Sequence, residues 1–416
     1  MNHNFTICLN MIVKNEEDII LSTLENLSSK IDFNYWVICD TGSTDNTKEI
    51  IKNFFENKNI IGELYSDEWV DFGYNRTLAL EKAFNKSDYI LIFDADDKIV
   101  GDIVFPENIF NYDAYYLIYG ESIKYNRIQL VNNRKKWKYI GVLHEYIECV
   151  ENVITSHLHG DYYILGRCIG NRSKCNDKYA NDALTLENAY ETAFKTGDSL
   201  YMRYAFYCAQ SYKDANDISN AIKWYKITLT LNNWVQEKYI CCLNLYHLYE
   251  KQQEVEKGIY YLIESQKYDS NRVECIYHLI KYYCINNQNE IAYLFYTLIQ
   301  NYYENNYLDD TFSNKLFLNC DDYSFFLPYY MIIVCERLKK YDIGIKMYDI
   351  IFTKQNIKVG EWWIKNLVHN LQFFIEKNTD SAFVKKWRYY LHLIHEQKYN
   401  IDDTLINKYE IYNIHI

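Results

Sequence analysis

Three acids follow directly on five apolar residues in Tyr89-Ile90-Leu91-Ile92-Phe93-Asp94-Ala95-Asp96-Asp97. The apolar run has the make-up of a buried strand, and in open α/β sheets ligands bind at the carboxyl ends of the strands. Carboxylates this close repel one another and stay ionised together only beside a cation or strong donors. Oxygen ligands of this kind suit Mg2+ or Mn2+ holding a diphosphate. The same acids also read as a turn that caps a helix, so the segment alone leaves both readings open.

Other segments carry comparable chemistry. Asp40-Thr41-Gly42-Ser43-Thr44-Asp45 puts an acid at a second strand end, where it could accept from a ribose or a base N–H. Its plain alternative is a helix N-terminus capped by Ser43 or Thr44. In Met11 to Glu17, Lys14 could face phosphates and Asn15 or Glu16 a base edge, or the acids simply favour a helix start. Arg76, near the start of a helix after Trp69-Val70-Asp71-Phe72-Gly73, could clamp phosphate. Gly141-Val142-Leu143-His144-Glu145 sets an imidazole beside a carboxylate, a pair suited to a metal or an acceptor. His157 and His159 would share a face of one strand, but nothing else completes a zinc site around them.

The elements that must position these residues alternate. Phe5 to Val13, Tyr35 to Cys39, Ile60 to Tyr65 and Tyr89 to Phe93 read as strands. Asn15 to Ser29, Thr47 to Phe55 and Gly73 to Phe84 read as helices. Apolar strands separated by helices imply a parallel, doubly wound sheet. Between Tyr112 and Val150 the segments Ala114 to Tyr119, Arg127 to Val131, Lys136 to Val142 and Glu145 to Val150 alternate like strands of a β-rich half completing the domain. From about Asp177 the pattern is helical to the end. There Ala221, Gly258 and Ala292 recur at about 35 residues, each preceded at the same interval by Tyr212, Tyr249 or Tyr283. Gly344-Ile345-Lys346-Met347-Tyr348 repeats the form of Ala221-Ile222-Lys223-Trp224-Tyr225 after an acidic insertion around Asp309 to Asp322. Small residues at helix crossings, with aromatics one turn on, are the mark of tetratricopeptide-like helix pairs; an irregular bundle is the alternative. The expected domains are 1–170 and 177–416.

Composition narrows the classes. A chain of 416 residues exceeds one ordinary core, and 49% hydrophobic with 24% charged residues is globular. A net charge of −12 argues against a nucleic-acid surface. No apolar run approaches the roughly 18 residues of a membrane span, and the N-terminus does not resemble a signal peptide. Twelve Cys without a CxxC pair suit free thiols in a reducing, cytoplasmic setting.

Taken in order, MIVKNEE, CDTGSTDNT, WVDFGYNRTLAL, LIFDADD and GVLHE resemble family 2 glycosyltransferases of GT-A fold. The subgroup with C-terminal tetratricopeptide-like repeats, to which peptide S-glycosyltransferases are similar, also carries segments like RYAFYCAQSYKDANDISNAIKWY and CDDYSFFLPYYM. The resemblance implies an α/β GT-A domain, Rossmann-like, followed by an all-α repeat domain. It implies an inverting, Mn2+- or Mg2+-dependent transfer from a nucleoside diphosphate sugar, a UDP-sugar by first expectation, to a protein, peptide or glycan. Ile12, Val13, Lys14 and Glu16 would line the base, and Asp40 would read base or ribose. Asp94, Ala95 and Asp96 would meet the donor, with Asp94, Asp96 and His144 on the metal and Arg76 on phosphate. Asp96 and Glu145 would be catalytic, Glu145 as general base. Asp97 stands where Glu is usual, keeping the charge on a shorter arm, and Thr77 where Asn is usual. The repeats offer a groove for an extended acceptor or a homodimer contact.

Two rival classes share parts of this pattern. A nucleotidyltransferase would carry a Gly-rich, basic phosphate loop near the N-terminus, which is absent. A protein-interaction scaffold with an inactive sugar-nucleotide domain would not need Asp40, Asp94, Asp96, His144 and Glu145 all in place.

Overall fold

The computed structural model describes residues 5–121, 123–175, 177–306, 315–353 and 359–375. β1(Ile7–Val13), α1(Ile20–Lys30), β2(Tyr35–Asp40), α2(Thr47–Lys58), β3(Gly62–Ser66), α3(Phe72–Ala83) and β4(Tyr89–Ile92) follow the expected alternation. β1 lies between β2 and β4, and β3 extends the sheet beyond β2, all in parallel. Residues of β1 alternate between two cores, as the two-residue period of a strand demands. Ile7, Leu9 and Met11 join α1 and α2 through Leu24, Leu27 and Phe55. Cys8 joins α3 through Ala79, Leu80 and Ala83. Helices on both faces explain why these strands are apolar throughout.

The strands that follow in this domain are β5(Asp97–Val104), β6(Ala114–Tyr119), β7(Ile123–Asn132), β8(Trp137–Ile140), β9(Tyr146–Cys149), β10(Thr155–His157) and β11(His159–Gly166). The β-rich half joins the same sheet, because β7 pairs antiparallel with β4. The order is β3-β2-β1-β4-β7-β6-β11-β5, so the sheet is mixed. β8 and β9 form a separate hairpin. β5 escapes a pattern-based reading because Lys98, Gly101 and Asp102 leave it without a sustained apolar face. Nor do His157 and His159 share one strand, since β10 ends and β11 begins on either side of Leu158. His157 stacks on Tyr116 at 5.1 Å between ring centroids.

The helical part contains α4(Lys178–Thr196), α5(Leu200–Asp214), α6(Ile218–Thr230), α7(Val235–Lys251), α8(Val255–Glu264), α9(Glu274–Ile285), α10(Asn289–Asn306), α11(Leu327–Arg337), α12(Tyr341–Thr353) and α13(Glu361–Ile375). Two compact units emerge, and their boundary falls within α7: the first runs to Cys241 and takes in the short stretch ending at Leu318, and the second takes up the chain from Cys242. Thus α4 to α6 cluster with the α/β domain. In the second unit two of these small residues, Gly258 and Gly344, lie close against aromatic rings. A Cβ on Gly258 would lie 3.0 Å from the Tyr246 ring, and one on Gly344 would lie 2.2 Å from Phe374. Of the acidic insertion expected around Asp309 to Asp322, residues 309–314 lie outside the described residues. After it, Tyr323 donates to Glu274 at 3.1 Å, and Glu274 makes a fully buried ion pair with Arg272 at 2.6 Å. CDDYSFFLPYYM therefore carries a packing role in the second unit.

Asn10 is the one polar residue of β1 turned towards α3. Its amide donates to Val37 O at 3.2 Å and Ala79 O at 3.0 Å, tying strand, neighbour and helix together. Asn10→Ala removes two buried side-chain hydrogen bonds and should lower unfolding stability by about 1–3 kcal/mol, measured by urea denaturation.

Candidate active site

The loops leaving β1 and β2 hold each other. Asn15 takes a left-handed conformation, φ 55°. Its backbone N–H donates to Ser43 Oγ at 2.8 Å, while its side-chain carbonyl accepts from Thr44 N at 2.8 Å. Glu16 N donates to Thr47 Oγ1 at 2.8 Å, and Glu17 N to Asp45 at 3.2 Å. Asn15 is therefore a clasp between loops. Nor do Ser43 and Thr44 cap α2; Asp45 reaches the first helical residue instead, accepting from Thr47 N at 3.1 Å. Gly42 makes the turn possible with φ 103°. Asp40 is fully buried, and its Oδ1 accepts from Gly42 N and Ser43 N at 3.1 and 2.9 Å. Its Oδ2 is buried without a hydrogen-bond partner, a costly state for a carboxylate unless a ligand completes it.

The acids after β4 separate into three environments. Asp94 accepts from Arg76 Nη2 at 2.6 Å and from Arg127 Nη1 at 3.4 Å. Burial works against its charge, but the two guanidinium groups outweigh burial and hold its carboxyl down at about 2. Asp96 points the other way, and its Oδ2 and both Glu16 oxygens flank Gly170. Burial first, and then the Asp96 charge, push Glu16 up to about 7 against the pull of its hydrogen bond from Asn171 N. Asp97 turns into the core and accepts from the Tyr119 hydroxyl at 3.1 Å. Burial and the charge of Asp94 raise its carboxyl to about 8. The sequence reading has Asp97 keep the charge on a shorter arm; in its place in the core, desolvation favours the protonated form.

α3 brings Arg76 to the site. Asp71 caps the helix by accepting from Tyr74 N at 2.7 Å. A Cβ on Gly73 would lie 2.3 Å from Gly141 O, so only glycine lets α3 touch the GVLHE loop. That approach puts Arg76 between two acids: its Nη2 on Asp94 and its Nε on Glu145 at 2.7 Å. Its guanidinium thus bridges carboxylates where a phosphate clamp was expected. Thr77 donates to Gly73 O and accepts from Tyr139 N at 2.8 Å, so it binds α3 to β8. His144 has φ 53°, uncommon without glycine. Its carbonyl accepts from Arg203 at 2.9 Å and its ring stacks on Tyr207 at 4.2 Å. Lost hydration and then the charges of Arg203 and Arg172 push the imidazole below its ordinary value, so it is neutral.

The expected metal set is not assembled. Among the described residues no three His, Cys, Asp or Glu side chains converge on one point. Asp94 faces arginines, His144 lies on Tyr207, and Asp96 faces Glu16. Asp96 and Glu16 remain a pair of hard oxygen donors that a divalent cation could join to phosphate oxygens.

A cavity of about 540 Å³ lies beside these acids. Ile12, Val13, Lys14, Glu16 and Thr41 line one part of it, and Trp69, Val70, Asp71 and Phe72 another. Val142 and Leu143 contribute from the GVLHE loop. The expected base-lining residues are thus brought together, whereas Asp40, Arg76, Asp94, Ala95, Asp96, His144 and Glu145 do not line it. Sequence reasoning missed Arg172, Lys178, Asn181, Asp182 and Thr185, which also line it. Only the helical spacing of the last four pointed to a common face.

Residues 8–162 match the family described as glycosyl transferase family 2. This domain belongs to that family. The glycosyltransferase domain is a mixed α/β sheet, and a helical region follows it. Solved structures similar to the chain include S. aureus TarS 1–349 in complex with UDP-GlcNAc, at 12% identity and TM-score 0.33, covering 63% of this chain and 91% of that one. Another is the Pyrobaculum calidifontis mannosyltransferase PcManGT in complex with GDP-Man and Mn2+, at 11% identity and TM-score 0.31, covering 64% and 88%. No curated protein matches in sequence. No helix among the described residues is long and apolar enough to cross a membrane.

The state of Asp97 is open to measurement. Its folded pKa lies above its unfolded value, so its contribution to stability is present at low pH and is lost as pH rises towards about 8. Asp97→Asn has no proton to lose. Measured by denaturant unfolding, the stability of Asp97→Asn relative to the wild type should increase between pH 5 and pH 8.5; a constant difference would mean an ordinary carboxylate.

Proposed function

We propose that the glycosyltransferase domain performs a metal-dependent, inverting transfer from a nucleoside diphosphate sugar to a nucleophile on a protein, peptide or glycan. One observation carries this reading. A single buried guanidinium, Arg76, joins the acid after β4 to the acid of the GVLHE loop, so a donor-side and an acceptor-side carboxylate stand on either side of it. Asp40 Oδ2, buried and unpaired, is the acceptor for a ribose hydroxyl or base N–H. Ile12 and Val13 wall the nucleotide, and Lys14 lines the same cavity as a phosphate partner.

Asp96, with Glu16 beside it, is the pair that would hold the cation. Bound there, a divalent ion neutralises charge gathering on the leaving diphosphate. The acceptor's oxygen, nitrogen or sulfur forms a bond to the anomeric carbon while the bond to the diphosphate oxygen breaks and its electron pair leaves with the nucleotide. Glu145 takes the acceptor proton. Arg76 aligns Glu145 through the 2.7 Å ion pair from its Nε. We read the helical region as tetratricopeptide-like pairs gripping an extended acceptor, which the close helix approaches at Gly258 and Gly344 support. All twelve cysteines are free thiols, which suits a cytoplasmic enzyme.

The test is a screen of nucleoside diphosphate sugars for hydrolysis and transfer. Asp96→Asn should abolish both while thermal unfolding stays near that of the wild type, and full turnover in excess chelator would overturn the metal reading. Glu145→Gln should reduce kcat by ~10²–10⁴-fold with donor binding retained; a wild-type kcat would remove Glu145 as the base.

A further inference from the structure

Glu145 follows a residue with an uncommon backbone. His144 has φ 53°, a left-handed conformation that is costly for a side chain with a Cβ and persists only where its surroundings impose it. The groups that impose it come from α5, well past the family 2 segment. Arg203 donates to His144 O from both Nε and Nη2, at 3.1 and 2.9 Å. About one helical turn on, the Tyr207 ring lies on the imidazole at 4.2 Å with only 11° between the planes. Beside them, Tyr204 Oη accepts from Val142 N at 3.3 Å. Three residues of one helix thus fasten the chain that leads into Glu145.

Arg203 is itself aimed. Its guanidinium lies 4.7 Å from the Tyr207 ring centroid and 5.1 Å from that of Tyr146, the residue after Glu145. Its third nitrogen, Nη1, lies 3.8 Å from Glu237 Oε1 in the first turn of α7. Glu237 is buried and accepts from Asn233 Nδ2 at 2.8 Å, and the same amide donates to Met202 O at 2.8 Å. A planar guanidinium fixed in this way gives two directed hydrogen bonds to one carbonyl, which a point charge cannot do. Arg76 meanwhile holds the Glu145 carboxylate at 2.7 Å. One arginine fixes the side chain of Glu145, and another fixes the backbone that carries it.

We infer that Arg203 is a positioning residue for Glu145, with Tyr207 as its second hold on the loop, so that the rate of transfer depends on α5. This rests on the reading of Glu145 as the base. It adds that the helices after the family 2 segment belong to the catalytic apparatus as well as to the grip on an acceptor. A displacement of the order of 1 Å at a reacting group is enough to cost a large part of the rate.

Steady-state hydrolysis of a panel of UDP- and GDP-linked hexoses with Mn2+ tests it, with calorimetric titration of UDP and GDP alongside. In hydrolysis water is the nucleophile: its oxygen bonds to the anomeric carbon as the bond to the diphosphate oxygen breaks, and Glu145 takes the proton. Arg203→Ala should lower kcat about 10- to 100-fold. KM for the donor and the affinity for nucleotide should both stay within about twofold of the wild type. Arg203→Lys, able to give one N–H to the same carbonyl, should recover part of the loss. Tyr207→Leu, which leaves Arg203 in place, should lower kcat about three- to tenfold. In a Glu145→Gln background neither substitution should cost anything further, since both act through that carboxylate. Wild-type kcat in Arg203→Ala and Tyr207→Leu, with Glu145→Gln impaired, would overturn the inference alone, and so would losses that multiply in the double variants. Wild-type kcat in Glu145→Gln would overturn the base reading and this inference with it, as would a wild type that hydrolyses none of the panel. Thermal unfolding of each variant separates a misplaced base from a lost fold.

Discussion

The geometry of the site depends on one guanidinium. Arg76 is buried and makes charge-assisted hydrogen bonds of 2.6 and 2.7 Å to Asp94 and Glu145. Removing such a cation from water costs several kcal/mol, and only well-aligned counter-charges offset that cost. Here two acids from distant parts of the chain converge on it, with the Tyr139 ring 5.6 Å away. Each acid would be costly without the arginine, and the arginine would be costly without them. The three groups therefore fix one another, and with them the position of the strand end relative to the GVLHE loop.

That convergence needs a close backbone approach. Gly73 and Gly141 let α3 touch the loop, Asp71 sets where the helix begins, and Thr77 ties the next turn to β8. Helix α5 then supports the loop from its other side, through Tyr204 accepting from Val142 N and Arg203 donating to His144 O. The left-handed backbone at His144 is held from both directions. This is why α4 to α6 cluster with the α/β domain and why the first compact unit runs well past the family 2 segment.

Much of the α/β domain was legible in the chain, for a simple reason. Strands buried on two faces need unbroken apolar runs, and helices on those faces need a 3.6-residue period, so β1, β2 and β4 and the helices between them announce themselves. β5 did not, since one side of it is largely exposed. The helix crossings at Gly258 and Gly344 were legible because close packing admits only small residues there. The acids of the site were legible as types and places along the chain. Their states were not. Asp94, Asp96 and Asp97 look alike in sequence, yet one is held ionised by arginines, one faces Glu16, and one is protonated in the core.

The sequence by itself determined the strand-helix alternation, the placing of acids at strand ends and the segments that mark family 2, because each depends on residues near one another in the chain. The tertiary structure alone decided which side chains meet. Asn15 became a loop clasp, Arg76 a bridge between carboxylates and Thr77 a tie to β8 because their partners come from other elements. The α4 wall of the cavity belongs to the same class: Lys178 lies far along the chain from Lys14, and only folding sets both around one space. Protonation and pairing follow from burial and from charges in space, and neither is a local property of the chain.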